Sequence, residues 1–180
     1  MGKAVVIAGY PGTGKSTIAG ELRKMLEEKN VIEVDEEAKK LGMFSMYDAR
    51  RLSHIYDEEY LMKWLERRVR ETEGVLFVFS IFSCILPKEL VSSVIVLRMD
   101  RDSLERRLRD RGWSDDKIQE NLEAMEMGEI EDEASECYGE EKVAVINTSA
   151  TSPLDSAKAI LKIAQDALKI EHRKDRERFD

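Results

Sequence analysis

Apolar positions along this chain follow two rhythms. Short runs rich in Val, Ile, Leu and Phe fall at 4–8, 31–34, 75–80, 94–98 and 143–147. Runs of this length and composition predict buried strands. Between them, apolar residues recur every three or four positions, as at Ile18, Leu22, Met25 and Leu26. That spacing predicts helices over 16–28, 57–72, 102–110, 115–138 and 154–170. Strands alternating with helices indicate an α/β fold with a parallel sheet covered on both faces. No internal repeat or Gly/Ser-rich linker interrupts the pattern, so 1–180 reads as one domain with inserted mobile segments.

The junction of the first strand and first helix carries the chemistry. Gly9-Tyr10-Pro11-Gly12-Thr13-Gly14-Lys15-Ser16 matches G-x-x-x-x-G-K-[ST] at every defined position. Free backbone N–H groups at a helix start favour an anion. Gly12 and Gly14 allow the backbone to wrap phosphate oxygens closely. Lys15 is placed to reach β- and γ-phosphates, and the Ser16 hydroxyl to ligate Mg²⁺. The motif predicts a phosphate-loop protein that binds a nucleoside triphosphate with magnesium.

Composition narrows the setting. The chain of 180 residues carries a net charge of −8, which argues against broad nucleic-acid binding. No apolar run is long enough to span a bilayer. The N-terminus runs straight into the first strand, without room for a signal peptide. Cys84 and Cys137 are too few for a disulfide framework and lack metal-site spacing, so a reducing cytoplasm is expected. Residues 126–141 hold eight acids and no base, which reads as a solvated helix face before it reads as a docking surface for a basic partner. The last ten residues, 171–180, are highly charged and read as a frayed helix end or a disordered tail.

Three further features bear on where a phosphoryl group would go. Asp35 ends Val31-Ile32-Glu33-Val34-Asp35 at the C-terminal edge of the second strand, where open α/β sheets hold ligands. It could orient a metal-bound water, contact the acceptor, or N-cap a helix over 36–42. Arg50 and Arg51 are adjacent, in a position to clamp an acceptor phosphate. Arg98 to Arg111 carries six arginines. Arg107 and Arg111 fall on one helix face, and Gly112 stops the helix. A lid built there would bring Arg111 and Arg107 onto a transferring phosphoryl group. Arg101, Arg106 and Arg109 read as members of a charged exposed face.

With these residues in view the chain resembles the adenylate kinase isoenzyme 6 or Fap7-like family, the archaeal and eukaryotic nuclear-type adenylate kinases. The likeness covers about 4–150. It rests on the loop at 9–16, on Tyr47-Asp48 followed by Ile55-x-Asp57, and on Pro87 after the third strand. Its most specific stretch runs from Leu97-Arg98-x-Asp100 through Arg107-Leu108-x-x-Arg111-Gly112-Trp113 to Asn121. The resemblance implies a nucleoside-monophosphate-kinase-type five-stranded parallel sheet, with an acceptor-binding segment near 35–58 and a lid near 110–120. It implies reversible transfer between ATP and AMP, with ATPase activity, and a link to small-ribosomal-subunit maturation through a small-subunit ribosomal protein in a pre-ribosomal particle. Neither a membrane nor sequence-specific nucleic-acid binding is expected. Gly12, Thr13, Gly14, Lys15, Ser16, Thr17 and Arg111 occupy the family's nucleotide-binding positions. Thr148, in Asn147-Thr148-Ser149, sits where such folds contact the adenine.

One departure stands out. Many family members end the third strand with an acid, followed two residues later by a histidine. Here those positions are Phe79 and Ile81. Part of the magnesium's outer shell must then come from elsewhere, with Asp35 and Ser80 as candidates, or catalysis is weak. The departure leaves room for an ATPase assembly factor with weak or no AMP kinase activity. A small-metabolite kinase with Asp35 as base is the third reading.

Overall fold

The structure, a computed structural model, describes residues 2–48 and 53–177, and side chains over 2–43 and 57–170. The strands are β1 (Lys3–Gly9), β2 (Val31–Glu33), β3 (Phe44–Asp48), β4 (Ser53–Tyr56), β5 (Val75–Ser80), β6 (Val91–Arg98) and β7 (Val143–Asn147). The helices are α1 (Lys15–Met25), α2 (Val34–Leu41), α3 (Glu58–Glu71), α4 (Arg101–Asp110), α5 (Asp115–Met127), α6 (Glu129–Tyr138) and α7 (Pro153–Glu177). Five strands form a parallel sheet in the order β2-β5-β1-β6-β7. β1 is central because it is apolar on both faces. Ala4, Val6 and Ala8 point into one core with α3, α5 and α6. Val5 and Ile7 point into a second core with α1 and α7. A strand buried on both sides reads as a continuous apolar run, and this one does. The expected five-stranded parallel sheet with helices on both faces is the architecture of the protein.

The structure differs from expectation in five places. The helix expected over 115–138 is two helices, because Gly128 adopts φ 75° and ends α5 in a left-handed turn. Residues 34–41 form α2 directly after β2, so Asp35 lies in the first turn of the helix and not at its N-cap, which is Glu33. β3 and β4 pair as an antiparallel hairpin inside the presumed acceptor segment, where no strand was expected. The last helix runs to Glu177, past the 154–170 expected from apolar spacing. Cys84 and Cys137 form a disulfide although 53 residues separate them, with Cα atoms 6.0 Å apart. The fold explains this contact: the loop after β5 packs against α6, and sequence spacing carries no trace of it. Tyr138 reinforces the junction by accepting hydrogen bonds from the Ile85 and Leu86 amides and donating to the Leu86 carbonyl. Among the described residues no helix is long and apolar enough to cross a membrane.

Candidate functional site

The phosphate loop joins the central strand to α1 at the carboxyl edge of the sheet, where the strand order reverses. Its shape depends on positive-φ glycines. Gly12 (φ 94°) adopts a conformation that residues with a side chain rarely take, and a Cβ there would press on Leu104 Cδ1 at 2.8 Å. Gly14 (φ 100°) caps α1. Thr13 is fully buried and turned inward: its hydroxyl donates to the Tyr10 carbonyl at 2.8 Å. Its amide donates to the same carbonyl at 3.3 Å, so Thr13 shapes the loop from within. Ser16 and Thr17 are exposed at the first turn of α1.

Lys15 is the electrostatic centre. Its Nζ donates to the Gly9 carbonyl at 2.5 Å and the Tyr10 carbonyl at 3.0 Å. Burial pushes its ammonium down to about 8. Arg111 pushes in the same direction, while the carboxylates of Asp35 and Glu33 pull it back up. Charges from β2, α2 and the end of α4 therefore act on Lys15 at the edge of the loop.

The arginines of α4 sort by surroundings. Arg107 Nη1 donates to the Gly12 carbonyl at 3.0 Å, which brings that side chain onto the phosphate loop. Arg111 is exposed at the C-cap of α4 and acts electrostatically on Lys15. Arg101 pairs with Glu126, and Arg109 with Glu105 and Asp115. Next to Arg111, the Lys117 ammonium lies 4.0 Å from the Trp113 ring centroid. Thr148 braces the loop: its hydroxyl meets the Thr13 and Arg98 carbonyls at 2.9 and 3.0 Å. Arg50 and Arg51 lie outside the described residues.

The end of β5 carries no such chemistry. Phe79 is 2% exposed in the apolar core beneath α1. The Ser80 hydroxyl accepts the Phe82 amide at 2.9 Å. Ser83 bonds Glu133 of α6 through both its amide and its hydroxyl. Of the two candidates for the outer metal shell, Asp35 is near Lys15 and Ser80 is engaged by its own loop.

Sequence reasoning missed three contributors. Glu33 is buried on β2 and pairs with Arg23 of α1 at 2.8 Å. Its signal was an acid at an inward position of the run Val-Ile-Glu-Val. Tyr10 donates to the Ala124 carbonyl at 2.7 Å, and burial pushes its phenol up to about 12, so it stays a donor. Arg98 bonds the Met125 carbonyl and pairs with Glu131 at 3.2 Å. The last two tie the phosphate loop and β6 to the helices that follow Arg111. Among the described residues no cluster of three or more His, Cys, Asp or Glu could hold a metal by itself, and the acids acting on Lys15 are hard oxygen donors, which suits a Mg²⁺ ion carried in on phosphates.

A family model described as an AAA domain matches residues 5–128. A protein of Saccharomyces cerevisiae named adenylate kinase isoenzyme 6 homolog FAP7 is 36% identical over 139 residues, covering 76% of this chain and 68% of that protein. An adenylate kinase isoenzyme 6 homolog of Caenorhabditis elegans is 30% identical over 151 residues, covering 84% of this chain and 82% of the relative. Among solved structures, a shikimate kinase from Acinetobacter baumannii superposes with a TM-score of 0.62 at 16% identity, covering 91% of this chain and 93% of that one. At that identity the likeness speaks for the fold alone.

Proposed function

The chain belongs to the adenylate kinase isoenzyme 6 family, and from that premise we propose that it transfers the γ-phosphoryl group of magnesium-bound ATP to AMP. A kinase-type nucleotide-binding function is common ground. The AMP acceptor is our reading. The observation that carries it is the convergence on Lys15, with Arg107 on the loop beside it, Arg111 at the end of α4, and the acids Glu33 and Asp35 acting from the β2 side.

The mechanism is positioning and charge. Lys15 and the loop amides hold the β- and γ-phosphates. Ser16 and Asp35 are the residues that would hold a magnesium ion, which would supply neutralisation of phosphate charge. Arg111, with Arg107, stabilises charge spreading over the transferring group, and α4 with its following turn excludes water. AMP enters with an ionised phosphate, so no general base is needed. Arg50 and Arg51 are our assignment for its clamp. Thr148 is our assignment for a contact with the adenine of ATP. We assign the reaction to the cytoplasm. A disulfide is unusual there in mesophiles and ordinary in hyperthermophiles.

Product counting tests the reading. Incubation with ATP, Mg²⁺ and AMP should yield two ADP for each ATP consumed. ADP and inorganic phosphate, formed at a rate indifferent to AMP, would refute it. That result would favour the second reading, an ATPase assembly factor acting on a small-subunit ribosomal protein, which Phe79 and Ile81 motivate.

A further inference from the structure

The strand that supplies an acid in many family members supplies Phe79 here, and the register shows what stands beside it. Phe79 pairs with Ile7 of β1 on one side and with Glu33 of β2 on the other. Side chains alternate across a strand, so Val31 and Glu33 share a face. Val31 packs in the same apolar core as Phe79, under α1. Glu33 therefore stands one strand further out than Phe79, on the same face and at the same level of the sheet.

Glu33 is an expensive residue to keep there. Its side chain is 8% exposed, and a buried carboxylate is costly unless paired. Arg23, one turn from the end of α1, holds Oε1 at 2.8 Å. The charge still reaches Lys15, where it acts in the same sense as that of Asp35. Because β2 passes straight into α2, the two carboxylates leave the sheet edge two residues apart, with buried Val34 between them. Asp35 sits in the first turn of α2, where the helix dipole favours an anion.

Resting on the adenylate kinase reading, we infer that Glu33 is the acid the third strand lacks: it orders the outer water shell of the magnesium ion carried by ATP, with Arg23 as its positioning residue and Asp35 as its neighbour in that task. Mg²⁺ keeps several of its waters and takes few protein carboxylates, which agrees with acids acting through water. Arg23 fixes one carboxylate oxygen and thereby the direction of the other. The competing role is purely structural, a buried ion pair that fastens α1 to β2, and it predicts lost stability with no effect on magnesium.

Calorimetric titration of the full chain with ATP, once in EDTA and once in Mg²⁺, separates the two roles. It is run on wild type, on Glu33→Gln, and on the double variant Arg23→Gln/Glu33→Gln, which leaves no lone buried charge if the single variant unfolds. The readout is each protein's own ratio of ATP affinity in Mg²⁺ to that in EDTA, so any change in magnesium-free affinity that follows from the pull of Glu33 on Lys15 cancels. In Mg²⁺ the wild type should bind more tightly, and the variants should lose at least about tenfold of that gain, the usual loss when a partner in the outer shell of a metal is removed. A folded double variant that keeps the full magnesium gain overturns the inference, and so does a wild type whose ATP affinity ignores magnesium. The measurement reads binding and not turnover. A protein that passes it and fails to phosphorylate AMP would sink the kinase reading and leave the role of Glu33 standing.

Discussion

β1 and β5 are neighbours, paired from Lys3 and Val75 to Ala8 and Ser80, and the chain treats their ends differently. Beyond β1 the backbone bends through two positive-φ glycines and delivers Lys15 to the sheet edge. β5 itself ends with Phe79 in the core, and beyond it the chain delivers Ser83, Cys84 and the 85–86 amides to α6. One end handles charge and the other is an anchor. The difference teaches that the acids acting on Lys15 come from β2 and α2, so an apolar β5 does not by itself argue for an inactive protein.

The strongest way to break this contrast is at Lys15. Lys15→Ala should lower turnover by at least about 10³-fold, the scale on which removing a preorganised charge acts. It should not lower the melting temperature, because burial already disfavours this ammonium. Activity retained in a coupled ADP assay would contradict the mechanism. On the other strand, Phe79→Asp should cost about 4 kcal/mol in denaturant unfolding, since it buries an unpaired charge and removes an aromatic ring. It should bring no gain in rate. A stable variant with faster turnover would mean that β5 is a catalytic strand after all.

The anchor can be loosened separately. Replacing both Cys84 and Cys137 with serine should lower stability by about 2–4 kcal/mol in unfolding experiments. The kcat should stay within a few-fold of wild type, and a large loss would tie α6 to the chemistry. Arg111→Ala should lower kcat by about 10-fold to 10²-fold with little change in the KM for ATP, the pattern of a charge used in the transition state. A raised KM alone would make Arg111 a ground-state contact. The mildest effect concerns pH. Lys15 is lowered to about 8 from an ordinary 10.5, so above about pH 8 the free protein loses the proton that phosphate binding needs. ATP affinity should weaken there, and binding should take up a proton. For folding the sign is opposite: between 8 and 10.5 the unfolded chain holds the proton and the folded one does not, so this group adds stability as pH rises. Calorimetry in two buffers of different ionisation enthalpy reads the proton uptake.

The sheet was legible because each strand is a short apolar run set off by helical spacing, and β5 and β7 begin and end where the pattern places them. The phosphate loop was legible because one contiguous motif fixes it. What sequence hid was non-local. Glu33 looks like one more acid in a charged chain until β2 is set beside β5. The Cys84–Cys137 contact needs α6 folded back under the β5 loop. Gly128 was readable as a helix stop, but the apolar spacing runs through it from Ile118 to Tyr138 and masked the break. The β3–β4 hairpin lacks an apolar run long enough to stand out, so the segment that would hold the acceptor was the least legible.

Phosphoryl transfer between nucleotides is reversible and hydrolysis is not, so the most direct measurement supplies ADP alone with Mg²⁺ and follows ATP by luciferase emission. The account predicts that ATP appears, that EDTA abolishes it, and that Lys15→Ala does not make it. A protein that hydrolyses ATP under the same conditions and never makes ATP from ADP would contradict the account.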